Sequence, residues 1–527
     1  MSGALRHGRL LFALLVVVVL AGIYEGAGAI HPAAAAGGRR AVAATRPARA
    51  TVSTAVRLCP APGSGAAGAS VALTALSGSG SGSGSGAGSG AGSGGSAVVT
   101  ALTPAGSAAP GAVLATARQP GTLHVFRVRT AAPLTSAEQA GQAGSSADVT
   151  TAAARGGVQV SASGAMAQGL SVEQTGSGGL VSWQCGTPGT SFWFLGPGQQ
   201  SAGTIELYLM NAGSSPADAQ VSLLTDVTKG PPLLGNTDNG ITVPPHSMVV
   251  QSLSKLLESS QVIALNVTTN AGQVVAAVKE SRSASGSGSW LPVTQAPARK
   301  LVIPGLPGEG GSRELYVAVP GTAAAQVKIT AVTARGSYVP TGGTGIDLLG
   351  GSTSTVSLPS MSGVAGAITI SSSVPIVASM RAPGGSSGAP AAVAVSSAPI
   401  TQQGVLAANA ARSAGTTDLV LSAPGKAATV RITSATSLVS AAGQPGRVVQ
   451  ISARSSVVIP AQPPAGSKAD QFAVVVTPLP GSGPVYAGQI ISTGRTVQSI
   501  MPVSSALTWI PLPAAQESLT QILSAGS

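Results

Sequence analysis

The chain has 527 residues, too many for one hydrophobic core, yet only 3% are aromatic and 8% charged. That excludes charged, solvated helices as its main material and favours short strands with Ser and Thr on the outward side. The net charge of +12 is no nucleic-acid signature, because residues 1–58 hold seven Arg against the single acid Glu25 and the rest is spread thinly, unlike the clustered charge that phosphate backbones require.

In chain order, Arg6, His7 and Arg9 precede an apolar run from Leu10 to Tyr24, the pattern of an export signal. The run is short of the ~20 residues that span a bilayer. Residues 1–36 therefore read either as a signal peptide cut within Ala33–Ala36 or as a membrane anchor extended by the following Gly and Ala. Keeping only Arg6 and Arg9 on the cytoplasmic side speaks for cleavage. Residues 37–58 mix Arg with Ala, Thr, Pro and Val and are expected to form a disordered basic stalk, since they bury too little apolar surface to offset chain entropy.

A first β-domain is predicted over 59–196. Within it Ser77–Ser96 contains only Gly, Ser and Ala, a flexible coil with an end-to-end distance of ~25 Å. No Lys-Ser/Thr follows, so it is not a phosphate-binding loop. Val71–Leu76 and Ala97–Leu102 alternate as strands do on either side, which makes the tract an expanded loop inside one domain. The domain is expected to close on Ser182–Gly196, which holds Cys185 and four aromatics, Trp183, Phe192, Trp193 and Phe194.

Beyond that stretch the chain repeats. Glu206-Leu-Tyr-Leu209, Glu314-Leu-Tyr-Val317 and Asp418-Leu-Val-Leu421 are spaced by 108 and 104 residues. Each is followed by a turn and a second strand, Ala219–Leu223, Ala325–Ile329 and Ala428–Ile432. A unit of ~100 residues with about seven short alternating strands is the signature of an antiparallel β-sandwich with Greek-key connections. The predicted fold is thus all-β: tandem, immunoglobulin-like sandwiches over 197–297, 298–400 and 401–513, each with its own core, and a tail over 514–527. Leu207, Leu315 and Leu419 should occupy equivalent inward positions. Parallel α/β architecture is excluded, because no helical pattern separates the strands.

Motifs with chemical meaning are few. Ser252-Leu-Ser-Lys255 has the Ser-x-x-Lys spacing of penicillin-binding enzymes, but neither Ser-Asp-Asn nor Lys-Thr-Gly occurs, and Leu253, Leu256 and Leu257 have the spacing of a one-turn helix. Leu291–Gln295 lacks the Gly of a sortase signal and reads as a linker, and the sequon at Asn266 sits inside a strand pattern. His246 follows two prolines that mark a turn and is expected to be solvent-exposed and not part of a Ser-His-Asp triad. The four histidines, His7, His31, His124 and His246, lie far from both cysteines and from one another, so no zinc site is expected. No cofactor and no catalytic residue is expected.

An exported N-terminus, Cys59-Pro60, the Trp183-x-Cys185 element, the Trp193-Phe194 pair and Leu207-x-Leu209-x-Asn211 together make the chain resemble a family of secreted actinobacterial proteins of unknown function, over about 59–513. The resemblance implies an extracytoplasmic, β-rich protein of the cell envelope and transfers no activity. Export into an oxidising compartment makes Cys59–Cys185 the expected disulfide, with two buried thiols as the alternative. The expected role is a non-catalytic structural or scaffolding one, the protein meeting the membrane through its N-terminal segment or being released by cleavage. Its partner is expected to be an envelope glycan or another exported protein. The other reading is a glycan-binding module that stacks sugars on Trp183, Trp193 or Trp290.

Overall fold

The computed structural model describes residues 49–512, apart from 61–68, 77–93, 106–110, 129–156, 177–181, 199–202, 227–234, 237–239, 255–256, 258–259, 282–287, 309–310, 312, 360, 362, 383–391, 411–414 and 495. Residues 1–36, read as an export signal or anchor, residues 37–48 of the expected stalk, nearly all of the Gly/Ser tract and the tail lie outside them. Among the described residues no helix is long and apolar enough to cross a membrane. Residues 50–510 form one compact unit; 1–49 with 511–527 form another, of which Arg49, Pro511 and Leu512 are described.

The fold is all-β, and its strands fall into four repeats. β1 (Arg49–Thr51) precedes the first, which comprises β2 (Thr54–Cys59), β3 (Ala69–Thr74), β4 (Gly95–Ala101), β5 (Thr103–Pro104), β6 (Val113–Ala117), β7 (His124–Val128), β8 (Val158–Gly164), β9 (Ser171–Thr175) and β10 (Ser182–Gln184). The second holds β11 (Ser191–Pro197), β12 (Thr204–Asn211), β13 (Ala217–Thr225), β14 (Gly235–Asn236), β15 (Ile241–Val243), β16 (Ser247–Ser252), β17 (Val262–Ala271), β18 (Val275–Ser281) and β19 (Gly288–Leu291). The third holds β20 (Ala298–Leu306), β21 (Arg313–Val319), β22 (Ala325–Thr333), β23 (Gly336–Tyr338), β24 (Ile346–Leu348), β25 (Ser352–Leu358), β26 (Gly366–Arg381) and β27 (Val393–Val395). The fourth holds β28 (Gln403–Ala410), β29 (Thr416–Ala423), β30 (Ala428–Ala435), β31 (Arg447–Ile451), β32 (Ser455–Pro460), β33 (Gln471–Pro478), β34 (Tyr486–Thr493), β35 (Thr496–Pro502) and β36 (Ser505–Ala506); β37 (Trp509–Pro511) follows and pairs with β1.

Each repeat builds two sheets with one strand order. The first sheets run β2-β8-β4-β6, β11-β17-β13-β15, β20-β26-β22-β24 and β28-β33-β30-β31. The second run β7-β3-β9-β10, β16-β12-β18-β19, β25-β21-β26-β27 and β32-β29-β34-β35. In the third repeat the 16-residue β26 serves both sheets, its first half pairing with β20 and β22 and its second with β21 and β27. The N-terminal region, read from sequence as a β-domain outside the repeats, is thus a fourth copy of the same arrangement. The order is not that of immunoglobulin domains, whose first two strands share a sheet: here they lie in opposite sheets, as β11 and β12 do.

Where repeats meet, both faces of these sheets are buried, and alternation assigns each side chain to one of them. On β12, Leu207 and Leu209 enter the core of the second repeat while Tyr208 and Met210 turn toward the first. On β11, Phe192 and Phe194 face inward, whereas Trp193 and Leu195 join Tyr316, Ala318 and Val377 of the third repeat. Val420, Ile490 and Ile500 of the fourth repeat complete the core of the third in the same way. Ala407, Ala435 and Ala473 of the fourth then pack on Ala72 and Leu123 of the first. Within residues 50–510 the sheets therefore close on themselves, each packed on both sides as propeller blades are. This accounts for the scarcity of charge: with two faces buried, a strand has little solvated surface on which to carry it.

Three expectations change. The repeats are not separate cores strung in a line, since apolar clusters cross from one repeat to the next. Residues 49–58, assigned to the stalk, include β1 and most of β2. The first boundary falls before Ser191, not after Gly196, because all of β11 pairs with β17 of the second repeat. Leu207, Leu315 and Leu419 are equivalent as expected: each is fully buried in the second strand of its repeat. The Gly/Ser tract joins β3 to β4, strands in opposite sheets of one repeat. Close approach explains one glycine pair. A Cβ on Gly488 of β34 would sit 2.5 Å from the Cα of Gly305 on β20, which has φ +78°, so the seam between the third and fourth repeats leaves no room for a side chain there.

Candidate functional site

The equivalent strands β10, β19, β27 and β35 of the four repeats are each the terminal member of their sheet. All four meet at one cavity of about 280 Å³, whose wall includes Arg57, Trp183, Trp290, Val393, Ser499 and Met501, so each of the four repeats contributes. The repetition that closes the sheets also brings these edges to one place.

Two of the three tryptophans singled out from sequence meet here. Trp183 and Trp290 lie 5.7 Å apart with their rings tilted, and Tyr208 stands edge-on to Trp290 at 5.1 Å, spacings at which aromatic pairs attract beyond simple burial. Trp193 is elsewhere, 9% exposed in the seam between the second and third repeats. Its carbonyl accepts from the Thr294 amide at 2.8 Å. Trp183 is itself only 3% exposed, so neither is a surface platform for a sugar.

Cys59 and Cys185 form a disulfide with Cα atoms 4.7 Å apart. Cys59 ends β2 and Cys185 follows β10, next to a two-way backbone bridge between Leu58 and Gly186 at 3.0 and 2.9 Å. The bond therefore ties the first strand of the repeat to the exit of its last, and Cys185 forms part of the cavity wall.

Arg57 was hidden in the supposed stalk. It sits on β2 two residues before Cys59, and burial pushes its guanidinium down to about 10, so it remains a cation at neutral pH. Its Nη1 donates to the carbonyl of Val56 at 2.9 Å. The run of Thr54, Val56, Leu58 and Cys59, rich in β-branched and apolar residues, was the available signal for a strand.

Glu173 on β9, fully buried, also went unrecognised. Its Oε1 and Oε2 accept the amides of Ala407 and Ala408 at 2.9 and 2.8 Å. Those amides are free because β28 bulges between Leu406 and Asn409 relative to β33. The Asn409 side chain donates to the carbonyls of Leu406 and Phe472 at 3.3 and 2.9 Å, and Gln489 donates to Ala408 O and Asn409 Oδ1 at 3.1 and 2.9 Å. Burial pushes the carboxyl up to about 8, against the opposing pull of the two amides.

The Glu-x-Tyr motifs prove structural. Tyr208 and Tyr316 donate to Glu206 and Glu314 at 2.8 and 2.9 Å, and Glu314 also pairs with Arg381 at 3.1 Å. In the second repeat Lys279 stands opposite Glu206 in the same register that places Arg381 opposite Glu314. His246 is exposed with φ 49°. Leu253 and Leu257 are core residues, and Lys255 lies outside the described residues. Asn266 is on β17, half-buried opposite Trp193 and Ser222. Among the described residues no group of three or more His, Cys, Asp or Glu is placed to hold a metal.

A family model matches residues 137–462, from the segment before β8 to the residues just after β32. The chain belongs to a family of unknown function, DUF5719. The match takes in the second and third repeats whole but only β8–β10 of the first, whose partners β2, β3 and β4 lie outside it. Cys59-Pro60 and Arg57 therefore fall outside the DUF5719 match, while Trp183, Cys185 and Trp290 fall within it. Comparison with curated proteins returned no match. DUF5719 membership brings no assigned activity, so function must be argued from the side chains themselves.

Proposed function

We propose that this is a non-catalytic, extracytoplasmic protein of the cell envelope, a rigid platform of four β-sandwiches. Its N-terminal segment tethers it to the outer side of the membrane or is removed on export. The observation that carries the reading is the closure of the repeats on themselves around a disulfide, a bond that persists in oxidising compartments. Rigidity follows from sheets packed on both faces, which leaves few elements free to move as lids. Among the described residues the cavity wall offers serines but no imidazole or carboxylate to activate one, which supports a binding or scaffolding role over hydrolysis.

The basic segment before β1 would be drawn to anionic head groups at ~1 kcal/mol per Arg near the surface. An exported protein or an envelope glycan would be the partner. Fractionation of cells carrying the tagged full chain, followed by cross-linking in place, tests the reading. Recovery with the envelope and with the cysteines oxidised is expected; recovery in the cytosol with reduced cysteines would overturn it.

A further inference from the structure

The cavity has a chemical character that the scaffold role does not need. Its volume of about 280 Å³ lies near the lower end of the range for small-molecule sites and has room for a single sugar ring. One part of the wall is the Trp183–Trp290 pair, and another is hydroxyl-bearing, with Ser182, Ser289 and Ser499. Among the described residues that line it the single formal charge is Arg57, and no Asp or Glu is among them. Among the described residues that guanidinium makes one hydrogen bond, to the backbone carbonyl of Val56, and most of its five donors have no protein acceptor there. Arg57 is half-buried, so the free donors face the cavity and its water, with no carboxylate beside them among the described lining residues.

A ligand that completes such a wall needs a carboxylate for the fork of donors, an apolar ring face for the indoles and hydroxyls for the serines. We propose that the central cavity is a binding site for a small acidic sugar of the uronic acid class, its carboxylate held by Arg57 and its ring set against Trp290, which Trp183 backs. A neutral hexose of the same size leaves the guanidinium unpaired and so binds more weakly. Four sandwiches meeting edge to edge then serve to build one preformed pocket, and the disulfide beside Arg57 holds its strand in place.

The test is tryptophan fluorescence of the full chain titrated with D-glucuronate and with D-glucose, for wild type and Arg57→Gln. Expected are a saturable change with glucuronate, at least tenfold weaker binding of glucose, and a fall of glucuronate affinity in Arg57→Gln to the level of glucose. Absence of a saturable response to glucuronate, equal affinity for the two sugars, or an unaltered glucuronate affinity in folded Arg57→Gln would each overturn the proposal. If Arg57→Gln does not fold, the comparison of the two sugars on the wild type decides alone.

Discussion

Two seams of the molecule do similar work with different chemistry. The seam between the second and third repeats is apolar, built on Trp193, Leu195 and Tyr316, with a hydroxyl bond from Ser379 to the Leu195 carbonyl at 2.7 Å. The seam between the fourth repeat and the first is lined by alanines and fixed by Glu173, whose partners Ala407 and Ala408 lie 234 and 235 positions away in sequence. Neighbouring repeats are joined by a short stretch of chain, so non-directional burial suffices to dock them. The closing seam forms between the two ends of a long chain and has to be selected from many alternatives. A carboxylate that reads a bulge can specify register where alanines cannot, at a cost in desolvation.

The largest effect that would sharpen this contrast is removal of the disulfide. Cys59→Ser with Cys185→Ser opens a loop of 126 positions, worth up to about 4–5 kcal/mol in the chain-entropy account. Because the bond lies in the repeat that closes the structure, hydrogen exchange at Ala407 and Ala408 should rise before exchange under Trp193 does. Equal acceleration at both seams would remove the distinction.

Next comes Trp193→Ala, expected to cost about 3–5 kcal/mol as a large buried side chain is lost, read as a lower urea midpoint. Protection of the Ala407 and Ala408 amides relative to global unfolding should be unchanged.

Glu173→Gln probes the other seam more gently. The glutamine amide presents a donor to a donor, so about 1–3 kcal/mol is expected. The sign of the pH effect follows from a carboxyl raised from 4.5 to about 8 on folding. Between those values the folded state holds a proton that the unfolded state has released, so this group's contribution to stability is full below about 4.5 and declines as pH rises to about 8. Urea midpoints of the wild type should show that decline, and those of Glu173→Gln should lack it. A wild-type contribution that instead grows with pH would mean the anion is the form the two amides stabilise.

The smallest effect should come from the Gly/Ser tract. Replacing residues 77–93 by a short turn between β3 and β4 should change stability by less than ~0.5 kcal/mol, since closure entropy varies slowly with loop length. A melting temperature lowered by several degrees would contradict this.

Strand alternation made the all-β class legible, and the Glu-x-Tyr repeats at 206 and 314 set the register of the later repeats because their outward tyrosines serve the same seam position in each. The first repeat was harder to see, because its second strand, β3, carries Ala72 where a Tyr would mark the repeat. Closure was not legible at all: an alanine at 407 or 473 reads as neutral, and its role depends on a partner hundreds of residues away. Of the site, Trp183, Cys185 and Trp290 were visible by rarity. Arg57 was not, since a lone arginine after a run of basic residues looks like part of that run until β2 is seen to pair with β8.

The closed arrangement itself is most directly tested by proximity. The Gly169 amide of the first repeat donates to the Leu507 carbonyl beyond β36 at 2.9 Å, and the neighbouring Gln168 and Leu507 are half-buried and exposed. With Gln168→Cys and Leu507→Cys in the full chain, a short thiol cross-linker followed by mass spectrometry should give an intramolecular link in the folded monomer, lost in urea. Two singly modified thiols in the folded monomer, with no intramolecular link, would contradict closure.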